Sequence, residues 1–306
     1  MKNIRATIDI GSNTVLLLLG EVNPYKEIAK ISEVTSLGKG LDRNGRFADE
    51  SMDASYAALA KYKGICLEHG VRSEEIITTA TEAARVAQNA KEFFTKIQQE
   101  LGITVQIITG EAEAALTTRG VLFDTNFEKP EVFVMDIGGA STELIKVDTV
   151  SKSVKQSISL PVGAVRVTDW LVEGTFPQRL GHIFSTNSAL IDDFRTITLF
   201  CVAGTLTSLG NMHLGHSEFV ENEVHGLHLA TSDIDQLLQS YGHYSPAQFL
   251  AKFPFLGKRS NAILGGLTLV HHMLHRLGVK EVVVSTYGLR YGTFLEGGIK
   301  DGYLAR

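Results

Sequence analysis

ATIDIGSNTVLLLL at residues 6–19 and VFVMDIGGASTELI at residues 132–145 are two copies of one sequence pattern. Each copy runs from an apolar stretch through Asp-Ile-Gly and small hydroxyl-bearing residues into a second apolar stretch. This pattern predicts a β-hairpin with small residues at its tip. Asp9 and Asp136 are equivalent positions, and the two copies lie about one domain length apart. The repeat therefore predicts two homologous lobes, each beginning with such a hairpin.

The rest of the chain alternates predicted strands with predicted helices. Strands are predicted over 76–79, 105–108, 156–160, 199–202 and 281–285, and helices over 49–69, 82–89, 93–101, 261–277 and from residue 111. This alternation indicates an α/β fold. We place the domain boundary at 127/128, so that residues 1–127 form the first lobe and residues 128–306 the second. A last helix, within about 288–306, either ends the second lobe or packs back on the first.

The bulk composition is that of a two-domain globular protein. With 306 residues, 44% of them hydrophobic and 21% charged, the chain fits two domains of about 150 residues each. Cys66 and Cys201 lie far apart without a CxxC pattern, which indicates a reducing compartment and no metal site at either cysteine. The N-terminus lacks the apolar core of a signal peptide, and no apolar run is long enough to span a membrane. We therefore expect a soluble, cytoplasmic protein without a membrane partner.

The net charge of −5 argues against a broad basic surface for nucleic acid. It does not exclude an anionic substrate, because a few local cations and backbone amides can bind phosphate on an acidic protein.

The two hairpin tips are the first candidates for phosphate binding, since they combine backbone N–H groups with side-chain hydroxyls. Their candidate residues are Gly11, Ser12, Asn13 and Thr14 in the first tip, and Gly138, Gly139, Ala140, Ser141 and Thr142 in the second. Asp9 and Asp136 stand where each first strand ends, in a position to hold Mg²⁺ or to orient a water. An ordinary turn is the alternative for one copy alone, but two copies at domain spacing favour binding.

Two further motifs carry charged residues at predicted helix starts. TGEAEA at 109–114 places Glu111 and Glu113 in the first turns of a helix. Either acid could stabilise the helix by interacting with its dipole, or one of them could be a general base for water. The local sequence pattern does not distinguish these two roles. TATEAAR at 79–85 presents Arg85 for bidentate phosphate recognition, with a solvated helix arginine as the alternative.

The segment VAGTLTS at 202–208 is a turn from a strand into a helix, which can approach a phosphate through Gly204 and Thr205. It lacks the lysine of a Walker loop, and the pattern GxxxxGK[ST] is absent from the sequence. Three of the ten histidines share a predicted helix, in no HExxH-like arrangement: His271, His272 and His275. We interpret them as helix-surface or partly buried residues rather than as metal ligands.

These motifs, taken in order, resemble the exopolyphosphatase / guanosine pentaphosphate phosphohydrolase (Ppx/GppA) phosphatase family. The resemblance runs through DIGSNT, LGKGLDRNGRF, TATEAARVAQN, TGEAEA, DIGGASTEL, SLPVGAVRVTD, VAGTLTSLG and YGLRYG, which together cover almost the whole chain. It implies two ribonuclease-H/actin-like lobes of the ASKHA superfold with a cleft between them. We expect the short, two-lobe form of the family, without the C-terminal helical domain of its longer members.

The resemblance also implies catalytic roles. Glu113 would be the general base that activates the attacking water, and Glu143 would help to hold that water or the metal. Asp136 would bind Mg²⁺, with Asp9 as a partner and Mn²⁺ as an alternative ion.

Other residues would bind the substrate. Arg85 would contact the phosphate chain, and the two hairpin tips would hold the terminal phosphates. Lys39, in a GKG stretch, adds a cation near the expected cleft.

The implied function is an exopolyphosphatase that releases terminal phosphate from inorganic polyphosphate by metal-assisted attack of water. The same site could hydrolyse guanosine pentaphosphate to the tetraphosphate, and the sequence does not separate the two substrates. An ATP-dependent kinase of the same superfold and a non-catalytic sensor of polyphosphate or an alarmone are the competing classes. A homodimer is a further expectation.

Overall fold

The computed structural model describes residues 4–123, 127 and 129–305. The chain divides into two compact units, which are Met1–Phe123 with Leu289–Arg306 (the first unit) and Asp124–Gly288 (the second unit). The expected domain boundary lies between residues 127 and 128, and residue 128 is not among the residues that the structure describes. The C-terminal segment, which the sequence left with two alternatives, belongs to the first unit.

The elements follow one another along the chain in an α/β order. The strands are β1 Ile4–Ile10, β2 Thr14–Glu21, β3 Lys26–Val34, β4 Ile77–Ala80, β5 Val105–Ile107, β6 Glu131–Ile137, β7 Thr142–Asp148, β8 Ser153–Leu160, β9 Thr198–Val202, β10 His228–Ala230 and β11 Glu281–Val284. The helices are α1 Leu41–Asn44, α2 Asp49–Glu68, α3 Glu82–Val86, α4 Ala90–Leu101, α5 Gly110–Val121, α6 Ala164–Glu173, α7 Phe176–Thr186, α8 Ser188–Asp192, α9 Ala203–His213, α10 Glu221–Val224, α11 Thr231–Tyr241, α12 Pro246–Lys252, α13 Ile263–Leu277 and α14 Leu289–Glu296. Within the described part of the chain, none of these helices has both the length and the apolar character needed to cross a membrane.

The first unit is built on a mixed sheet with the strand order β3-β2-β1-β4-β5. β1 pairs antiparallel with β2 and parallel with β4. Because side chains alternate along a strand, Ile8 and Ile10 enter the core shared with α2 and α4, whereas Thr7 and Asp9 face the opposite side. On that side the Thr7 hydroxyl donates to the Arg290 carbonyl of α14 at 3.2 Å. Asp9 therefore lies on the face of the sheet that α14 covers.

The second unit repeats this arrangement. Its sheet has the strand order β10-β11-β9-β6-β7-β8. Read from β8, the first five strands, β8-β7-β6-β9-β11, correspond to β3-β2-β1-β4-β5 of the first unit. The sixth strand, β10, pairs antiparallel with β11 at the edge of the sheet. Met135, Ile137 and Leu144 belong to the core, and the alternation places Asp136 and Glu143 on the other face. Each unit has the α/β, ribonuclease-H/actin-like fold that the sequence predicted.

The predicted helix over 82–89 is shorter in the structure, because α3 ends at Val86. The buried Asn89 side chain is hydrogen-bonded instead to the backbone of Phe47. Its Oδ1 accepts from the Phe47 N–H at 2.9 Å, and its Nδ2 donates to the Phe47 carbonyl at 3.1 Å. This contact with a distant part of the chain holds residue 89 outside the helix, and α4 begins at Ala90.

Candidate functional site

The first hairpin tip, residues 11–14, is supported from one side by the segment 35–38. The N–H groups of this segment donate to two carbonyls of the tip: Gly38 to Ser12 at 2.7 Å, and Thr35 and Ser36 to Asn13 at 3.0 Å each. The C=O and N–H groups of a trans peptide point in opposite directions. The N–H groups of Asn13 and Thr14 therefore point away from the supporting segment. Lys39 follows that segment directly and is exposed.

The second hairpin tip, residues 138–141, is supported in the same way by the start of α6. The N–H groups of α6 donate to its carbonyls: Ala164 to Gly138 at 2.9 Å, Val165 to Gly139 at 2.9 Å and Arg166 to Gly139 at 3.2 Å. The Arg166 guanidinium also donates to the Ala140 carbonyl at 2.8 Å. The N–H groups of Gly139, Ala140 and Ser141 therefore point away from α6. A run of amide donors of this kind is suited to binding an anion.

Glycines allow both supports to approach the tips closely. A Cβ atom at Gly163, next to α6, would lie 2.5 Å from the Gly139 carbonyl carbon and 2.6 Å from the Ala140 nitrogen. A Cβ atom at Gly38 would lie 2.9 Å from the Ser12 Cβ. Both glycines lie inside the motifs LGKGLDRNGRF and SLPVGAVRVTD, but no role was predictable for them, because their contacts are made with residues far away in sequence.

A pair of carboxylates lies beside the second tip. Asp136 of β6 and Glu143 of β7 are direct partners across the antiparallel ladder, so their side chains share one face. Glu143 is buried, and the Ser159 hydroxyl donates to its Oε1 at 2.7 Å. Two carboxylates placed opposite each other repel, and oxygen ligands of this type suit a hard divalent cation. The donor set therefore fits Mg²⁺.

The first hairpin has only half of this arrangement. Asp9 corresponds to Asp136, but its ladder partner on β2 is Leu16 rather than an acid. Of the two hairpins, the second is therefore the better candidate for holding the metal.

The cysteine near this carboxylate pair is not a reactive group. Burial raises the pKa of the Cys201 thiol, and the negative charge of Asp136 raises it further. Burial likewise raises the pKa of Cys66 to about 12. Both thiols are therefore protonated at neutral pH, in agreement with the absence of a cysteine motif.

In the first unit, Arg85 connects two acids near the start of α5. Its guanidinium donates to Glu82 Oε2 at 3.0 Å, to Glu113 Oε2 at 3.2 Å and, through Nη1, to the Ile108 carbonyl at 2.6 Å. Glu113 is buried, whereas Glu111 is exposed. The tertiary structure thus distinguishes the two acids that the local sequence pattern could not. Glu82 is a member of this cluster that the sequence analysis did not single out.

The strand-to-helix turn at β9–α9 is present as predicted, with α9 beginning at Ala203. The Arg259 guanidinium covers this turn, and a Cβ atom at Gly204 would lie 2.8 Å from its Cζ. Thr205 is buried, and its Cγ2 would lie 2.6 Å from a Cβ atom at Gly266 of α13. Arg259 is therefore a cation of the second unit that the sequence analysis missed, and it is positioned at a predicted phosphate-binding turn.

One hydroxyl among the predicted phosphate ligands already has a backbone acceptor. The fully buried Thr142 donates to the Val162 carbonyl at 2.6 Å. Its contribution within the hairpin is therefore to connect β7 to the segment before α6.

Curated relatives match the chain over most of its length. The bifunctional 3-dehydroquinate synthase/phosphatase of Fusobacterium nucleatum is 28% identical and matches 96% of this chain. The chain spans only 46% of the length of that protein. Exopolyphosphatase 2 of Mycobacterium tuberculosis is 27% identical, with 95% of this chain and 97% of the relative covered.

Solved structures resemble the chain in fold as well as in sequence. The crystal structure of an exopolyphosphatase from Cytophaga hutchinsonii has a TM-score of 0.85 and 26% identity, covering 97% of this chain and 99% of the other. The Ppx/GppA family member from Aquifex aeolicus has a TM-score of 0.75 and 26% identity, covering 96% of each chain. The model of the Ppx/GppA phosphatase family matches residues 21–297. The chain therefore belongs to the Ppx/GppA phosphatase family, as its ordered motifs predicted.

Proposed function

We propose that this chain is an exopolyphosphatase that hydrolyses the terminal phosphoanhydride bond of inorganic polyphosphate. The observation that carries the proposal is the Asp136–Glu143 pair, in which Glu143 is buried, beside a hairpin tip with outward-pointing N–H groups. Carboxylates suit a divalent cation and amide donors suit phosphate oxygens, so one hairpin offers both components of a polyphosphate site. Relatives named as exopolyphosphatases support this substrate class.

In this proposal Asp136 and Glu143 would hold Mg²⁺, with Mn²⁺ as the alternative ion. A divalent cation held by these carboxylates would supply neutralisation of the negative charge on the phosphate oxygens. Ser159 keeps Glu143 oriented through its hydrogen bond to Oε1. Asp9 is assigned a supporting role, because the first hairpin lacks the second carboxylate.

Glu113 is the proposed general base. It accepts a proton from the attacking water, and the shortened polyphosphate chain leaves with the electrons of the broken P–O bond. Arg85 fixes the orientation of the Glu113 carboxylate through their hydrogen bonds, and its positive charge suits a phosphate chain. Lys39 and Arg259 add further positive charge in the first and second units, respectively.

A substrate panel tests the proposal. We expect phosphate release from short polyphosphate in the presence of Mg²⁺, with kcat/KM compared on short polyphosphate, long polyphosphate and guanosine pentaphosphate. If the chain hydrolyses guanosine pentaphosphate but not polyphosphate, the nucleotide is its substrate and the proposal is wrong. ATP-dependent labelling of an acceptor without phosphate release would indicate a kinase, and calorimetric binding without turnover would indicate a sensor. We further predict that the chain forms a homodimer and is located in the cytoplasm.

Gly163→Ala is expected to lower kcat/KM for phosphate release by about 100-fold, because an error of about 1 Å in positioning costs a factor of that size. The added methyl group meets the backbone of Gly139 and Ala140, so the tip has to move away from α6. Gly181→Ala in α7 is the matched control, since among the described residues a Cβ atom there meets nothing within 4 Å beyond the backbone of its own helix. Equal activity of the two variants, with circular dichroism showing both folded, would remove the proposed role of the α6 support.

A further inference from the structure

A histidine–aspartate cluster lies on the outer helices of the second unit. His271 and His275 are one helical turn apart on α13, and Asp235 is on α11. His271 Nδ1 lies 2.9 Å from Asp235 Oδ1, and His275 Nε2 lies 2.9 Å from the same oxygen. Their spacing is that of the two histidines in HExxH, but the glutamate of that motif is absent, and the sequence alone predicted helix-surface histidines. The third member of the cluster comes from another helix, which a motif within one helix cannot reveal.

We propose that Asp235, His271 and His275 form a binding site for a transition-metal ion of the zinc type. Their three ligand atoms lie within 4.8 Å of one another. Zinc binds imidazole nitrogen and carboxylate oxygen at about 2.0–2.2 Å, so small side-chain rotations allow one ion to contact all three atoms. Two histidines at positions i and i+4 of a helix face the same side, as in helical zinc motifs.

The helices that carry the ligands are held firmly in place. Ile234 and Leu237, which flank Asp235 on α11, are buried in the same core as Val270 and Leu274 of α13. Each ligand therefore projects from a packed helix rather than from a loop. A site built on rigid elements loses little entropy when the ion binds.

This site differs in chemistry from the carboxylate pair of the second hairpin. Asp136 and Glu143 offer oxygen only and suit Mg²⁺, whereas two imidazoles select a transition ion such as Zn²⁺. The two sites share no residue. The zinc site therefore does not depend on the proposed exopolyphosphatase activity, and the two proposals can fail separately.

Isothermal titration calorimetry with ZnCl₂ tests the site on the full-length, tag-free and chelator-treated chain, in a buffer that contains excess Mg²⁺. We expect one Zn²⁺ per chain, and at least about 100-fold weaker binding in His275→Ala and in Asp235→Asn. His228→Ala is the matched control, because His228 pairs with Glu281 at 3.0 Å on the surface and belongs to no three-ligand cluster within the described part of the chain. This control and Asp136→Asn are both expected to bind Zn²⁺ as the unaltered chain does.

Anomalous diffraction at the zinc edge locates the ion independently. The expected peak lies about 2.0–2.2 Å from His271 Nδ1 and His275 Nε2. His271→Gln is a second variant, tested in case His275→Ala fails to fold. An unchanged isotherm in folded His271→Gln and Asp235→Asn would overturn the proposal. So would loss of binding in Asp136→Asn alone, or an anomalous peak at another position.

Discussion

Glu113→Gln is expected to reduce kcat for phosphate release about 10²–10⁴-fold, the range typical for loss of a general base. Glutamine has the same shape as glutamate but cannot take a proton from water. The fold is expected to persist, because Arg85 retains Glu82 and the Ile108 carbonyl as partners. Steady-state phosphate release from polyphosphate measures the effect, and we expect KM to change much less than kcat.

Glu111→Gln is the matched control for this prediction. Glu111 lies in the same first turn of α5 but is exposed, so its substitution is expected to leave kcat nearly unchanged. Near-normal turnover in Glu113→Gln would exclude Glu113 as the base. Equal losses in both variants would instead indicate that the helix start needs negative charge, whichever acid supplies it.

Gly292→Ala is expected to give the largest loss of stability, with the free energy of unfolding lowered by about 3 kcal/mol or more. α14 crosses α5 so closely that a Cβ atom at Gly292 would lie 1.7 Å from the Leu116 carbonyl oxygen and 2.5 Å from its carbon. A backbone carbonyl cannot rotate away as a side chain does. The two helices have to separate, which opens the small core that Leu116 shares with Ile108 and Leu289.

Urea denaturation followed by far-ultraviolet circular dichroism measures this loss. Trp170, the single tryptophan, lies in α6 of the second unit, so its fluorescence reports on that unit separately. Gly64→Ala is the control, because Gly64 lies inside α2 and an added Cβ would meet no described residue within 4 Å beyond the backbone of its own helix. We expect Gly64→Ala to stabilise the chain by about 0.5–1 kcal/mol. An unchanged denaturation midpoint in Gly292→Ala would contradict the close helix crossing.

Several features were readable from sequence because their causes are local. The strand, small-residue tip and strand of each hairpin are contiguous, and β1–β2 and β6–β7 follow the predicted pattern. The helix start after β9 has the same explanation. The break between α3 and α4 was predicted after residue 89, whereas α3 ends at Val86, because the remote backbone of Phe47 holds Asn89 outside the helix.

The sequence by itself determined the repeat, the α/β class and the family, because these depend on residue order and on patterns within short segments. Only the tertiary structure distinguished the buried Glu113 from the exposed Glu111 and revealed what Gly38 and Gly163 do. It also brought Asp235 of α11 to His271 and His275 of α13. Each of these results depends on contacts between residues far apart in sequence. Such contacts are made when strands and helices pack together, and they leave no spacing pattern in the chain.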